Sequence, residues 1–289
     1  MNSIIPYPGG KSQVRHKLLA LVPKHSCWVE VFCGACWITL AKGPGTSDLE
    51  VINDKDKGLI NFWMVVREKP QEFIAQSEFA VRSRAQFDRY RENQGRPRKE
   101  MPDVEAAWEY WYLIQNSFTG SIGYPRWKYS RGGKPVTRRA HYLDLIRMEP
   151  RIMEVYQRLQ KVDIECLDFR NCIERYDRPS TFFMLDPPYW DPKSGPQDYA
   201  VRFSQQDHED LAEILCSIQG KFLLTYDDST TVRDAYDWAY IKAHSFRYSV
   251  PHAGSAGETS IGQELIITNY DTAQVLGPLF ALQDLDISV

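Results

Sequence analysis

The sequence contains no apolar run long enough to cross a membrane, and its N-terminus lacks the charged and apolar regions of a secretion signal. Cysteine is scarce, with 6 residues in 289. These absences argue against an integral membrane protein and against a secreted disulfide-rich scaffold. The 43% of hydrophobic and 13% of aromatic residues are sufficient to bury a full core. We expect a globular, cytoplasmic protein of one large or two smaller domains.

The cysteines do not form a complete metal-binding pattern. Cys33 and Cys36 have the C-x-x-C spacing of zinc and redox sites, but no second ligand pair follows at a suitable spacing. The six cysteines lie mostly inside apolar segments rather than in a loop framework. We therefore predict reduced thiols and no metal site.

The chain also lacks the three-glycine fingerprint of dinucleotide-binding proteins, which disfavours a nucleotide-dependent oxidoreductase. The apolar stretch 28–33 runs into a single glycine, Gly34, and then into residues with helical character, a unit that lets a ligand approach backbone N–H groups. A second strand, 49–53, is followed by Asp54, 20 residues after Gly34. That spacing predicts that Asp54 holds the ribose hydroxyls of a nucleotide. The alternative role of Asp54 is a helix N-cap.

One stretch combines an acid, a carbonyl and an aromatic ring at the end of a buried strand. The apolar run 181–185 has no helical spacing, and the consecutive prolines of Asp186-Pro187-Pro188-Tyr189 must end it. The carboxylate then lies at the carboxyl edge of a parallel sheet, where open α/β folds bind ligands. Two oxygens can accept the hydrogens of a planar amine while Tyr189 stacks on its face, so we predict a nucleobase site. The alternative is an ordinary Asp-Pro turn.

Other stretches end in residues suited to a ligand. The glycines of Tyr7-Pro8-Gly9-Gly10-Lys11 permit a tight backbone beside a ligand, and Lys11 is placed to reach an anion or a polar base. Further strands are predicted over 162–167 and 221–226, and the first of them leads into Asp168-Phe169, an edge for an adenine ring.

The remaining segments complete an α/β pattern. A helix is predicted over 206–218, with Ser204 and Asp207 as its capping box. The stretches 240–244 and 264–269 have no space between them for a crossover helix, so they should pair antiparallel.

The middle of the chain interrupts this alternation. Residues 67–151 carry 17 Lys and Arg against 11 Asp and Glu, so the net charge of −3 conceals a basic segment. We predict an inserted helical subdomain at 63–151, with an aromatic core helix over 104–116 and a glycine-containing loop over 119–136. Basic residues with aromatic neighbours in that loop suit contact with phosphates and bases, although a solvated charged face is the usual alternative.

These motifs, in this order, resemble those of the Dam-like class of adenine-specific DNA methyltransferases, in its alpha group. The stretch 7–11 is similar to the N-terminal cofactor motif of the family, 29–35 resembles its first-strand motif, and Asp186-Pro187-Pro188-Tyr189 resembles its catalytic signature. Asn116-Ser117-Phe118-Thr119-Gly120 resembles the stretch that opens the DNA-contacting loop. The chain departs from the family where Cys36 and Trp37 replace small residues. It also lacks the arginine that Dam members place shortly after Gly120, so no GATC target is implied.

The resemblance implies a Rossmann-like, seven-stranded methyltransferase sheet with its last strand antiparallel. Residues 1–62 and 152–289 would form this catalytic domain, and residues 63–151 the inserted target-recognition subdomain. The implied cofactor is S-adenosylmethionine, the implied partner is double-stranded DNA, and the implied source is prokaryotic or phage. The catalytic residues would be Asp186, Pro187, Pro188 and Tyr189. The cofactor-binding residues would be Tyr7, Gly9, Gly10, Lys11, Glu30, Phe32, Cys33, Gly34, Asp54, Asp168, Phe169 and Asp186. The DNA-binding residues would be Lys11, Asn116, Phe118, Arg126, Lys128, Arg131, Lys134 and Arg138.

The expected reaction is methylation of an adenine amino group, whose lone pair is delocalised into the ring. If Asp186 and the Pro187 carbonyl each accept one amino hydrogen, the nitrogen becomes pyramidal and directs its lone pair at the sulfonium methyl. The base must first leave the duplex. The alternatives are methylation of the cytosine amino group (N4) or of an RNA base, and a catalytically silent DNA-binding module with the same fold.

Overall fold

A computed structural model describes residues 1–9, 11–78, 80–94, 96, 100–117, 120–127, 145–190, 199–247 and 261–276. The strands in these ranges are β1 (Cys27–Glu30), β2 (Leu49–Asn53), β3 (Val162–Glu165), β4 (Thr181–Leu185), β5 (Lys221–Asp227), β6 (Tyr240–Arg247) and β7 (Ile261–Thr268). They form one sheet in the order β3-β2-β1-β4-β5-β7-β6. The neighbours from β3 to β5 are parallel, whereas β7 is antiparallel to both β5 and β6. The predicted seven-stranded sheet with an antiparallel last strand is confirmed.

The central strands are apolar because both faces of the sheet are covered. β4 is buried at every position, and β5 is buried at its five inner residues. Strands buried on both faces read as continuous apolar runs rather than as alternating patterns. This explains why β4 coincides with the predicted run 181–185.

The helices of the described residues alternate with these strands, except in the middle of the chain. They are α1 (Arg15–Ala20), α2 (Trp37–Lys42), α3 (Lys57–Glu68), α4 (Pro70–Ala75), α5 (Arg84–Asn93), α6 (Val104–Asn116), α7 (Leu145–Leu159), α8 (Phe169–Tyr176), α9 (Gln205–Ser217), α10 (Thr230–Ala235) and α11 (Ala273–Leu276). Five consecutive helices, α3 to α7, lie between β2 and β3. The predicted interruption of the alternation is therefore present.

Several helices begin at side chains that accept hydrogen bonds from their first N–H groups, and α9 and α3 are two of them. The Ser204 hydroxyl accepts from the Asp207 N–H and the Asp207 carboxylate accepts from the Ser204 N–H, so the predicted capping box of α9 is confirmed. Helix α3 is capped by Asp56, whose carboxylate accepts from the N–H groups of Gly58 and Leu59. The alternative prediction that Asp54 caps this helix is wrong, because the chain needs two more residues to turn from β2 into α3.

The middle helices share a hydrophobic core with one face of the sheet. One cluster of buried residues includes Ile52 of β2, Trp63 of α3 and Trp111 of α6. Successive strand residues point to opposite faces, and a second cluster that includes Phe183 and Leu224 covers the other face. The aromatic side chains of α6 are largely buried, as predicted for a core helix.

The cysteines have free thiols. Among the described residues, no three His, Cys, Asp or Glu side chains are placed together as ligands for a metal ion. Within the same residues, we find no helix whose length and apolar character would suffice to span a membrane.

Candidate active site

Several predicted site stretches meet at the carboxyl edge of the parallel strands. The register places Glu30 of β1 beside Ile52 of β2 and Met184 of β4. Beyond the strands, the Val31 N–H donates to the Met184 carbonyl at 3.0 Å, and the Cys33 N–H donates to the Asn53 carbonyl at 2.8 Å. The turn after β1 therefore adjoins both the end of β2 and the chain entering Asp186.

A buried asparagine holds the ends of three strands together. The Asn53 side-chain amide donates to the carbonyls of Val31 at 2.9 Å and Leu167 at 3.1 Å, and its oxygen accepts from the Leu167 N–H at 2.9 Å. Asn53 is 1% exposed, so these bonds compensate its burial. They bring the segment that leads into Asp168 next to the turn after β1.

Asp186 receives two donors on one oxygen. The Lys11 Nζ lies 2.7 Å from Asp186 Oδ1, and the Thr225 hydroxyl donates to the same oxygen at 2.6 Å. Lys11 is 6% exposed and Asp186 is 24% exposed, so the ion pair is shielded from water while the carboxylate remains reachable. This pair joins the N-terminal stretch to the segment after β4.

The same ammonium group also contacts Tyr189. Lys11 Nζ donates to the Tyr189 hydroxyl at 2.9 Å and lies 5.2 Å from the ring centroid, so it approaches along the hydroxyl rather than over the ring face. It is 3.8 Å from Glu264 Oε2 of β7 and 3.3 Å from the Gly9 carbonyl. Lys11 thus links three elements around the predicted catalytic stretch.

Two glycines permit close packing in the predicted cofactor region. Gly34 has a φ of +45°, and a Cβ there would meet the Tyr7 ring at 3.0 Å. Gly9 has a φ of +70°, and a Cβ there would lie 3.0 Å from the Tyr199 hydroxyl oxygen. Any other residue would be strained in this left-handed conformation, and its Cβ would require the neighbouring tyrosine to shift.

Asp54 is attached to the glycine turn. Its Oδ2 accepts from the Gly34 N–H at 3.2 Å, and its Oδ1 accepts from the Asp56 N–H at 3.0 Å. Burial, followed by the negative charge of Asp56, raises the pKa of Asp54 to about 7. Asp54 is therefore a half-buried acid beside the turn after β1, and its two oxygens, with about four lone pairs between them, can still accept from a ligand.

Aromatic rings surround the end of the site near Asp168. The rings of Phe32, Phe169 and Phe203 contact one another at centroid distances of 5.4 to 5.9 Å. The Asp168 carboxylate pairs with Lys55 at 2.7 Å, accepts from Arg170, and caps α8. An apolar, aromatic surface beside an acid fits the adenine part of the predicted cofactor, just as a half-buried acid fits its ribose.

Two predicted cofactor residues, Glu30 and Cys33, have buried side chains. The Glu30 carboxylate accepts from the backbone N–H of Thr39 at 3.0 Å and from the Thr39 hydroxyl, so it holds the first turn of α2. Burial raises the pKa of Glu30 to about 7. Cys33 is buried, and this burial raises the pKa of its thiol well above the ordinary value. Gly10, a further predicted cofactor residue, lies outside the described residues.

The described part of the predicted DNA surface places two arginines over aromatic rings. The Arg82 guanidinium lies 4.2 Å from the Trp127 ring centroid, and that of Arg126 lies 5.1 Å from the Tyr124 ring centroid. Asn116 is buried, and its side-chain oxygen accepts from Arg82 Nε at 3.2 Å. The other predicted DNA contacts, apart from Lys11, lie outside the described residues: Phe118, Lys128, Arg131, Lys134 and Arg138.

Sequence reasoning missed several residues of this site. Thr225 and Asn53 are polar residues within otherwise apolar strands. This feature of the sequence could have indicated that their side chains form buried hydrogen bonds. Glu264 carried the same signal in the last strand. Phe203 was not identifiable, because only the folded chain brings it to Phe32 and Phe169.

Comparison with known proteins agrees with this arrangement. A family described as D12 class N6 adenine-specific DNA methyltransferase matches residues 7–250, which include Lys11, Asp54 and Asp186. A type II methyltransferase, M.CviBI of Paramecium bursaria Chlorella virus NC1A, is 24% identical over 279 residues, which cover 93% of this chain and 100% of that protein. The family match extends over most of the chain, and the chain therefore belongs to the D12 class of N6 adenine-specific DNA methyltransferases.

Proposed function

We propose that the protein transfers a methyl group from S-adenosylmethionine to the N6 amino group of an adenine that has been flipped out of duplex DNA. The observation that carries this proposal is the Asp186 carboxylate, which Lys11 and Thr225 hold at the sheet edge beside the glycine turn. The type II designation of the chlorella-virus protein supports a site-specific modification role for this chain as well.

Asp186 and Pro187 would act on the target amine. The Asp186 carboxylate and the Pro187 carbonyl each accept one amino hydrogen, which localises the nitrogen lone pair. Tyr189 offers its ring as a stacking face, worth about 1 to 3 kcal/mol, which offsets part of the few kcal/mol required to unstack the base. Their contribution is orientation and electrostatic preorganisation.

The cofactor would lie along the edge from Asp168 to Gly34. Phe32, Phe169 and Phe203 provide apolar faces for its adenine, and Asp54 provides acceptors for its ribose hydroxyls. When bound, S-adenosylmethionine supplies a methyl group activated by its sulfonium. Asp168 is paired with the half-exposed Lys55. To accept a hydrogen bond from the adenine, its carboxylate must give up part of that ion pair.

The direct test incubates the full chain with S-adenosylmethionine carrying a labelled methyl group and with duplex DNA of mixed sequence. Digestion to nucleosides should place the label in N6-methyladenine. Label in N4-methylcytosine, or transfer to RNA alone, would identify a different planar amine as the substrate. DNA binding without transfer would indicate a silent binding module.

Changing Asp54 to Asn should weaken binding of S-adenosylmethionine, because the ribose loses a charged acceptor. Hydrogen bonds to charged groups contribute about 1.5 to 3 kcal/mol, so Kd should rise about tenfold to a hundredfold. Since the pKa of Asp54 is raised to about 7, its charged form prevails only above that pH. The affinity of the wild-type protein should therefore increase between pH 6 and pH 8, as measured by calorimetry.

The same titration of Asp54→Asn is the control. Glu30 also has a pKa near 7, so any pH step that survives in the variant belongs to Glu30 or to the cofactor. An unchanged Kd across the pH range would mean that Asp54 only braces the Gly34 turn.

Two groups of basic residues should have separable effects on DNA. Arg96→Ala, alone or with the Arg98 and Lys99 changes, removes phosphate contacts, so binding to all duplexes should weaken and the salt dependence should become shallower by about one counterion per contact. Arg126→Ala, and equally Arg131→Ala, should instead change which sites are methylated, at about 1 to 3 kcal/mol for each lost bidentate base contact.

Modification sequencing of a random duplex library, performed at two salt concentrations, distinguishes these effects. Arg233→Ala is the matched control, because Arg233 is half-exposed on α10 and pairs with Asp228, outside the basic segment. A uniform loss of methylation at every site in Arg126→Ala would show that the loop is a phosphate clamp and that specificity resides elsewhere.

A further inference from the structure

Asp186 is held by two donors of different character. Lys11 Nζ, on a flexible side chain, lies near Asp186, Tyr189, Gly9 and Glu264, so its three hydrogens are shared among several acceptors. Thr225 has a single hydroxyl hydrogen on a β-branched side chain with few rotamers. Thr225 is therefore the more rigid support of the carboxylate.

Thr225 lies beside Asp186 because of the strand register. β5 runs parallel to β4, and Leu224 pairs with Leu185, so the next residues of the two strands are neighbours. Thr225 is 0% exposed within the apolar strand β5, and a hydroxyl buried in this way requires a partner. Its oxygen is 2.6 Å from Asp186 Oδ1 and 3.4 Å from the Leu185 carbonyl, so its one hydrogen is directed to the carboxylate.

We infer that Thr225 is the positioning residue of Asp186, an inference that rests on the proposed methyl transfer to an adenine amine. A carboxylate oxygen accepts about two hydrogen bonds, and Oδ1 already receives Thr225 and Lys11. The target amine is therefore directed to Oδ2. By fixing Oδ1 from the neighbouring strand, Thr225 prevents rotation of the carboxylate and sets the direction in which Oδ2 faces the amine.

The test is Thr225→Val, which keeps the shape of the side chain and removes the hydroxyl. Because a displacement of about 1 Å costs about a hundredfold in rate, kcat should fall about tenfold to a hundredfold. The KM for DNA and the Kd for S-adenosylmethionine should stay within about twofold, since Thr225 is expected to contact neither ligand. Thr225→Ser retains the hydroxyl and should restore most of kcat.

The matched control is Thr268→Val. Thr268 is a strand residue that is 1% exposed, and its hydroxyl donates to the Tyr270 carbonyl at 2.7 Å rather than to Asp186. In the sheet it pairs with Leu223 and not with Thr225. The kcat of the Thr268→Val variant should equal that of the wild-type protein. If the added methyl of Thr225→Val prevents folding, as judged by thermal unfolding, Thr225→Ala tests the same prediction and should lower kcat by a similar factor.

Each outcome decides between positioning and simple packing. A wild-type kcat in a folded Thr225→Val or Thr225→Ala protein overturns the inference, as does an equal loss of kcat in Thr225→Ser. A fall in ligand affinity with unchanged kcat also overturns it. A wild-type protein that methylates no adenine in DNA overturns the proposed function instead, so the two failures are distinguishable.

Discussion

Asp186→Ala is expected to abolish methyl transfer while the protein still binds S-adenosylmethionine. The variant removes the carboxylate that would accept an amino hydrogen of the target, and loss of one preorganised group of this kind costs about a hundredfold to a thousandfold in rate. The acids assigned to the ribose and the adenine of the cofactor, Asp54 and Asp168, belong to other strand ends and keep their own partners. Single-turnover assays with a labelled methyl group, together with calorimetry of cofactor binding, measure both quantities.

Asp186→Asn separates charge from shape. The amide keeps one acceptor oxygen, but it no longer balances the charge of Lys11, which is 6% exposed. Its rate should therefore lie between those of the wild-type protein and Asp186→Ala. Turnover near the wild-type rate in the alanine variant would remove Asp186 from the reaction.

Tyr189 provides a graded comparison at the same site. Tyr189→Phe loses the hydroxyl that accepts from Lys11 but keeps the stacking ring. Tyr189→Ala loses the ring as well, so it should cost about 1 to 3 kcal/mol more, or about tenfold to a hundredfold. Equal rates in the two variants would show that the ring does not stack on the base.

The positions that the sequence predicted well are those governed by strand ends. The apolar run 181–185 coincides with β4 because a strand buried on both faces leaves a continuous signal. The convergence of Gly34, Asp54 and Asp186 follows because parallel strands present their carboxyl ends at one edge. Local pattern and global fold agree at these positions.

The partners of Asp186 could not be predicted in the same way. Lys11 precedes Asp186 by 175 residues and Thr225 follows it by 39, so only the folded chain brings the three side chains together. The alternative prediction that Asp54 caps α3 was wrong for a local reason. Asp54 and Asp56 are both suited to capping, and only the path of the turn after β2 places Asp56 at the start of the helix. Pairing between distant elements is information that residue types alone do not carry.

The same limit applies to charges inside apolar strands. Glu50 interrupts the apolar strand β2, and the sequence does not reveal its partners. In the structure its carboxylate lies 2.5 Å from Lys42 Nζ and 2.6 Å from Arg158 Nη1. The three side chains are 3 to 6% exposed. This buried group fastens α7 to β2 and α2.

Glu50→Ala is expected to lower the free energy of unfolding by about 3 to 5 kcal/mol, the cost of breaking a buried ion pair. Removal of the carboxylate leaves two cations close together and away from water. Arg158 keeps hydrogen bonds to the carbonyls of Thr39 at 2.9 Å and Gly43 at 3.2 Å, but these neutral acceptors do not balance its charge. Chemical denaturation, monitored by fluorescence, measures the change.

Glu50→Gln and Asp228→Ala are the controls that identify burial as the cause. The glutamine keeps the volume and one acceptor oxygen, so its loss of stability should be smaller than that of alanine. Asp228 forms a two-bond pair with Arg233, which is 44% exposed, and exposed pairs contribute about 1 kcal/mol or less. If Glu50→Ala lowers the free energy of unfolding no more than Asp228→Ala does, Lys42 and Arg158 reach water in the folded protein. The ion group would then not be what fastens α7 to the sheet.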